Sequence, residues 1–230
     1  MNNARLPETA YYKRVCLRNS IAALIYGADI TPTISAIKPT LMTPIATPFS
    51  LTNQFLIAMP GMDDPFFAGS VVYVCEHGED GAMGIVINKP SPVTMDLLFD
   101  AAKTATPERF CNEWVMMGGP VQVDRGFLVH TPVGSWESSL LVTDHIAMTT
   151  SRDIIAGLAK DGEVDKAVVT IGYSSWRAGQ LEQELADNAW LTAPANTQIL
   201  FDLPYDQRYQ AAIKLLNVDL AQLSGAAGHA

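Results

Sequence analysis

The chain has 230 residues, 48% of them hydrophobic and 17% charged, which suits one globular domain with a core of its own. No run of eighteen apolar residues occurs, which argues against a membrane-spanning helix. The net charge of −9 is uneven: residues 1–41 carry five basic groups against two acidic ones, and the remainder carries ten against 22, so the acidic body repels a phosphate backbone and direct DNA binding is not expected.

Residues 1–41 mix polar and apolar positions and include TPTISAIKPT. Their apolar part is short, is interrupted by Asn19 and makes a poor secretory signal. They read as an N-terminal extension, either disordered or the product of an upstream start, with a single packed domain over 42–230. Asn53 to Met59 form a short apolar strand that stops at Pro60, and GMDDPFFAG is a loop begun by Asp64-Pro65. SVVYVCEH is a β-branched, alternating strand, HGEDGA is a turn built on Asp80-Gly81, and AMGIVINKP is the return strand, stopped by Pro90. TMDLLFDAAK is a helix with Thr94 as its N-cap. Two strands follow around Gly118-Gly119-Pro120 and Asp124-Arg125-Gly126, and SSLLVTDHIAMTTS holds another. SRDIIAGLAKDGE is a helix capped by Ser151, with Asp153 at its positive end. KAVVTIGYS is a strand, QLEQELADNAWL a helix ending near Asn188, and TQILFDLP a short strand or edge piece. YDQRYQAAIKLLNVDLAQLS supplies one or two terminal helices. Early hairpins followed by βα units predict an α+β fold: a mixed sheet with helices packed on it.

Three cysteines (Cys16, Cys75, Cys111), with no CxxC, argue for a reducing compartment and against both a disulfide framework and structural zinc. Alternation along the strand places Cys75 and His77 on one face and Glu76 on the other. A Cys/His nucleophile pair needs closer alignment than residues i and i+2 provide, so Cys75 reads as core. His77 either caps the glycine-rich turn or serves a function. Asn88 either bonds a loop backbone or lines a cleft. His130 could join His77 and an acid in a metal site, but no HExxH or HxH spacing supports one, and no metal or cofactor is expected. From Gly172 to Glu184 a strand runs through a loop into a helix start, a place that favours anions and often builds sites. Tyr173 and Trp176 offer stacking surface there, Arg177 charge, Gln180 a cap, and Glu182 a carboxylate that either suits the helix dipole or opposes a bound phosphate.

FLIAMPGMDDPFFAGSVVYVCEHGEDGAMGIVINKP, MGGPVQVDRGFLVH, GYSSWRAGQLEQELADNAWL and LSGAAGHA together resemble the YqgE/AlgH family, over about residues 42–230. The resemblance implies a layered α+β fold in a bacterial, cytoplasmic protein. The family's transcriptional-regulator label rests on no DNA-binding motif. Where the family has Gly-Trp and a small residue, this chain has Ser175-Trp176-Arg177, which puts in doubt any role for a bare backbone at 175. The reading is a non-enzymatic regulatory or binding protein that takes a protein partner or a small ligand. The alternative is an enzyme or small-ligand binder using a cleft near 172–184 with His77 and His130. The candidate binding residues are therefore His77, Asn88, His130, Tyr173, Trp176, Arg177, Gln180 and Glu182, and no catalytic residue is assigned.

Overall fold

A computed structural model describes residues 50–216. The expectations for residues 1–41, for LSGAAGHA and for a helix beyond residue 216 fall outside the described residues. Within them, strands β1 (Gln54–Ala58), β2 (Val71–Gly78) and β3 (Gly81–Val86) form an antiparallel meander, with Glu79-Asp80 as the two-residue loop of the expected hairpin. Their residues are buried on both faces: Phe55, Ile57, Tyr73 and Ile85 enter one core cluster, while Leu56, Val72, Val74 and Val86 enter another. A strand covered on both sides reads as a continuous apolar run, as FLIA and VVYV do.

After Val86 the sequence reading stops at Pro90. The chain instead resumes as β4 (Pro90–Thr94), which pairs only with β5 (Trp114–Met117) and so keeps its prolines on an edge, where the missing N–H costs no ladder bond. Helix α1 (Met95–Ala101) begins as expected, with Thr94 Oγ1 accepting from the Leu97 N–H at 3.4 Å. β6 (Val121–Thr131) is followed by two short strands, β7 (Ser139–Leu141) and β8 (Ala147–Thr149), where one was expected. Thr143 explains the break, since its Oγ1 accepts from the His145 and Ile146 N–H groups and folds the segment back. Helix α2 (Asp153–Leu158) is not capped by Ser151, whose Oγ accepts from the Ser138 N–H instead.

The longest strand, β9 (Lys166–Arg177), is shared by both halves of the sheet. Its first half lies antiparallel to β6 and parallel to β5, and its second half pairs with β3. Helix α3 (Gln180–Ala186) follows, and the chain turns at left-handed Asn188 (φ 57°) into β10 (Trp190–Pro194), which pairs with β1. No strand is expected there from the sequence, because AWLTAP is too short to show a period. TQILFDLP corrects from a strand to a π-helical turn (Gln198–Asp202), with Asn196 Oδ1 accepting from the Gln198 and Ile199 N–H groups at its start. Helix α4 (Tyr205–Leu215) closes one face with Ala212 and Ile213. The fold is therefore α+β, as expected. No described helix is long and apolar enough to cross a membrane.

The halves meet where β9 turns left-handed at Gly172 (φ 71°) against Gly118-Gly119. A Cβ at Gly119 would stand 2.0 Å from the Tyr173 carbonyl carbon and oxygen and 2.3 Å from the Ser174 nitrogen. These are backbone atoms, which cannot rotate away. Gly119→Ala is therefore expected to destabilise the fold by about 3 kcal/mol or more in urea unfolding, with a lowered midpoint as the readout.

Candidate functional site

The far end of β9 carries most of the sequence candidates. β2 contains a bulge between Val74 and Glu76, and this inverts the facing of the residues beyond it. Cys75 stays in the cluster with Tyr73, but His77 pairs with Ala82, which belongs to the opposite cluster. The expectation that Cys75 and His77 share a face is thus corrected: simple alternation fails at the extra residue. Cys75 is fully buried, and burial, then the neighbouring Glu76, raises its thiol far above the usual range.

His77 does not cap the glycine-rich turn. Its Nδ1 accepts from the Leu51 N–H at 3.1 Å, and Nε2 lies 2.9 Å from Glu182 Oε1 on α3. An Nδ1 that accepts carries no proton, so the neutral ring donates through Nε2 to Glu182. The pair fastens α3 to the hairpin across 105 residues of sequence. A second fastening lies beside it. Glu184 Oε2 accepts from both Trp176 Nε1 and Trp190 Nε1, each at 2.8 Å, and Oε1 accepts from Gln180 Nε2 at 2.9 Å. Gln180 Oε1 in turn accepts from the Arg177 N–H at 3.1 Å, a local cap of the loop. Trp176 is buried against Phe67 and Trp190. The Arg177 guanidinium is exposed and has no partner among the described residues, and Glu182 keeps 45% of its side chain accessible. Ser175 sits exposed in extended strand opposite Met83, so a side chain is accommodated at that position.

The remaining candidates lie elsewhere. Asn88 ties the first residue of β2 and the loop just before it, with Oδ1 accepting from the Val71 N–H and Nδ2 donating to Gly69 O. Tyr173 is half-buried on the opposite face, its ring 4.9 Å from Phe127. His130 pairs with Ala167 near the start of β9, whereas Ala82, the partner of His77, pairs with Trp176. Those positions lie nine residues apart along β9 on either side of Gly172, at most about 30 Å, and the two rings have separate partners, Glu182 and Thr149, so the histidines are not brought together. His130 is fully buried; Nδ1 donates to Pro132 O at 2.9 Å, and Nε2 accepts from Thr149 Oγ1 at 2.8 Å. Among the described residues no group of three or more His, Cys, Asp or Glu side chains is placed to hold a metal ion. Glu184 is the organising residue that sequence reasoning missed. Its only signal is spacing, with one indole eight positions before it and another six after.

The AlgH-like family model matches residues 55–221. A UPF0301 protein of Neisseria meningitidis serogroup C (strain 053442) is 60% identical over 181 residues, which cover 79% of this chain and 100% of the relative. A UPF0301 protein of Chromobacterium violaceum is 53% identical over 182 residues, covering 79% and 98%. The solution structure of the AlgH protein from Pseudomonas aeruginosa is similar with a TM-score of 0.64 at 45% identity, covering 82% of this chain and 100% of that one. A crystal structure of a Corynebacterium diphtheriae protein gives a TM-score of 0.61 at 20% identity over 76% and 92%, a likeness of fold alone.

Glu184→Leu leaves two indole N–H groups without their acceptor and is expected to cost about 2–4 kcal/mol in urea unfolding, whereas exposed Gln183→Ala should cost less than about 0.5 kcal/mol. Burial holds His130 below its ordinary pKa of 6.5, against the raising effect of the Pro132 carbonyl. The unfolded state therefore takes up this proton first as the pH falls. Stability from the site is complete above about 6.5 and declines below it. Unfolding followed from pH 8 to 5 should show a shallower acid decline in His130→Gln than in the parent chain.

Proposed function

The chain belongs to the AlgH-like family, and from that premise we propose that it is a non-enzymatic regulatory or binding protein of the bacterial cytoplasm. It presents the β9–α3 end of the sheet to a protein partner. The observation that carries this reading is the state of His77, which with the carboxylate of Glu182 makes up the candidate acid–base groups at that end. Both of its ring nitrogens are engaged, one by a backbone N–H and the other by Glu182. A general base needs a nitrogen within reach of a substrate proton. Here the imidazole instead holds a helix against a hairpin.

The surface displayed by that framework is polar. Arg177 projects from the end of β9 beside the exposed residues of α3, and Glu79 and Asp80 project from the neighbouring turn. Mixed charges on a well-supported edge favour recognition of a complementary protein surface, in which rim charges set encounter rate and register. DNA is disfavoured because acidic groups surround the single arginine.

Affinity capture with the full chain, compared with an Arg177→Glu variant, tests the proposal. The expected result is a partner retained by the parent chain and lost by about tenfold or more in the variant, with no turnover by either. Equal retention by both chains, or a reaction that disappears in His77→Gln while the fold survives, would overturn it.

A further inference from the structure

At the opposite end of β9 a cleft of ≈ 200 Å³ opens between β5, the start of β9, the π-helical turn and α4. At its back stands Arg208, only 6% exposed. Two backbone carbonyls orient the guanidinium: Nε donates to Leu203 O at 2.9 Å and Nη1 to Ile87 O at 2.6 Å. Nη2 has no hydrogen-bond partner among the described residues, and Arg208 forms no ion pair among them. Burial lowers its pKa to about 10, with Glu113 and Asp202 opposing the shift, so it remains charged at neutral pH. That nitrogen is not sealed off, since among the described residues the buried side-chain donors without a partner are Ser70 Oγ and Trp136 Nε1, so it stays open to a group that enters the cleft.

The other charges of the cleft sort by whether they are already satisfied. Lys166 Nζ lies 2.7 Å from Asp202 Oδ1, and each partly neutralises the other. Arg109 donates to Leu158 O and Val164 O, with Asp161 at 3.5 Å. Two carboxylates, Glu113 and Asp165, have no partner among the described residues and sit exposed at the rim. Glu113 is close enough to act on Arg208 electrostatically, yet the two do not touch. Beside them Trp114 leaves 38% of its surface exposed on the wall.

We infer that this cleft binds a small zwitterion of the amino-acid class, with its carboxylate on Arg208, its ammonium on Glu113 and its apolar body against Trp114. A guanidinium and a carboxylate held near each other without contact leave room for a group of the opposite order of charges between them, and a zwitterion pairs both. A phosphate dianion fits less well. It would meet the negative field of Glu113 and Asp202 with a single free guanidinium nitrogen to hold it. The volume lies below the usual range of ligand pockets, which suits one amino acid and not a nucleotide. The site is separate from the β9–α3 surface and stands or falls independently of it.

The test is a ¹H–¹⁵N NMR titration of the full chain with L-phenylalanine, 3-phenylpropionate, phenethylamine and inorganic phosphate as separate probes. The expected result is saturable shifts of the Trp114 indole and Arg208 Nε–H signals with phenylalanine. Both single-charge analogues should bind at least about tenfold more weakly. Glu113→Gln, an exposed change that spares the fold, should weaken phenylalanine by about tenfold and leave 3-phenylpropionate unaltered. Arg208→Lys should weaken phenylalanine and 3-phenylpropionate together; if that variant does not fold, Glu113→Gln still decides. The inference is overturned if phenylalanine leaves both signals unmoved, if phosphate binds more tightly than phenylalanine, or if Glu113→Gln binds phenylalanine as the parent chain does.

Discussion

At Gly172 the twelve-residue strand β9 turns left-handed within backbone contact of Gly119, and both halves of the sheet hang from that crossing. Gly118 ties the same point from three sides. Its N–H donates to Ile171 O, and its carbonyl accepts from the Val86 N–H and from Ser174 Oγ. No side chain fits between the two backbones, so the approach itself sets the angle between the halves. One stretch of chain therefore delivers Trp176 and the α3 loop at one end and the wall of the Arg208 cleft at the other.

Three buried ionisable side chains share one solution, unlike Ser70 Oγ and Trp136 Nε1, which are buried without a partner among the described residues. His77, His130 and Arg208 are all deeply buried, and each is oriented by at least one backbone group. For the histidines the remaining nitrogen is met by Glu182 or Thr149, so each ring is complete and its tautomer is set. Glu184 serves the two tryptophans in the same way. Arg208 differs, because its third nitrogen finds no partner among the described residues. That difference leaves one guanidinium nitrogen uncommitted to the fold.

The hairpin, the Thr94 cap and the β9–loop–α3 passage are legible in the sequence because each is local: a turn dipeptide, a hydroxyl before an apolar run, an alternation that ends in Gly179. Features that depend on a distant partner escape reading. β10 is a strand because β1 lies beside it, and Asn188 turns the chain to meet it. The bulge in β2 reverses His77 without any mark in VVYVCEH, since an inserted residue in a pleat leaves the composition unchanged. Pro90 reads as a stop and becomes an edge strand once β5 offers only one side to pair. The Arg208 cleft gathers residues from positions 95 to 208, and no spacing in the sequence joins them. The loop at 172–184 stands out in the sequence through its residue types, whereas its fastening by His77 required the fold.

The two ends of β9 invite the idea that a ligand at one could alter the surface at the other. Coupling needs an element with two arrangements whose balance both sites bias. The strand that joins them is poorly suited to this. Sliding it by one residue would reverse its buried faces, and displacing it toward Gly119 meets backbone at once. A signal through β9 would have to move the whole crossing, including the β3 and β6 ladders on either side of it. The geometry therefore favours a rigid spacer: occupancy of the cleft would complete Arg208 locally, and the β9–α3 surface would keep its shape whether or not the cleft is filled.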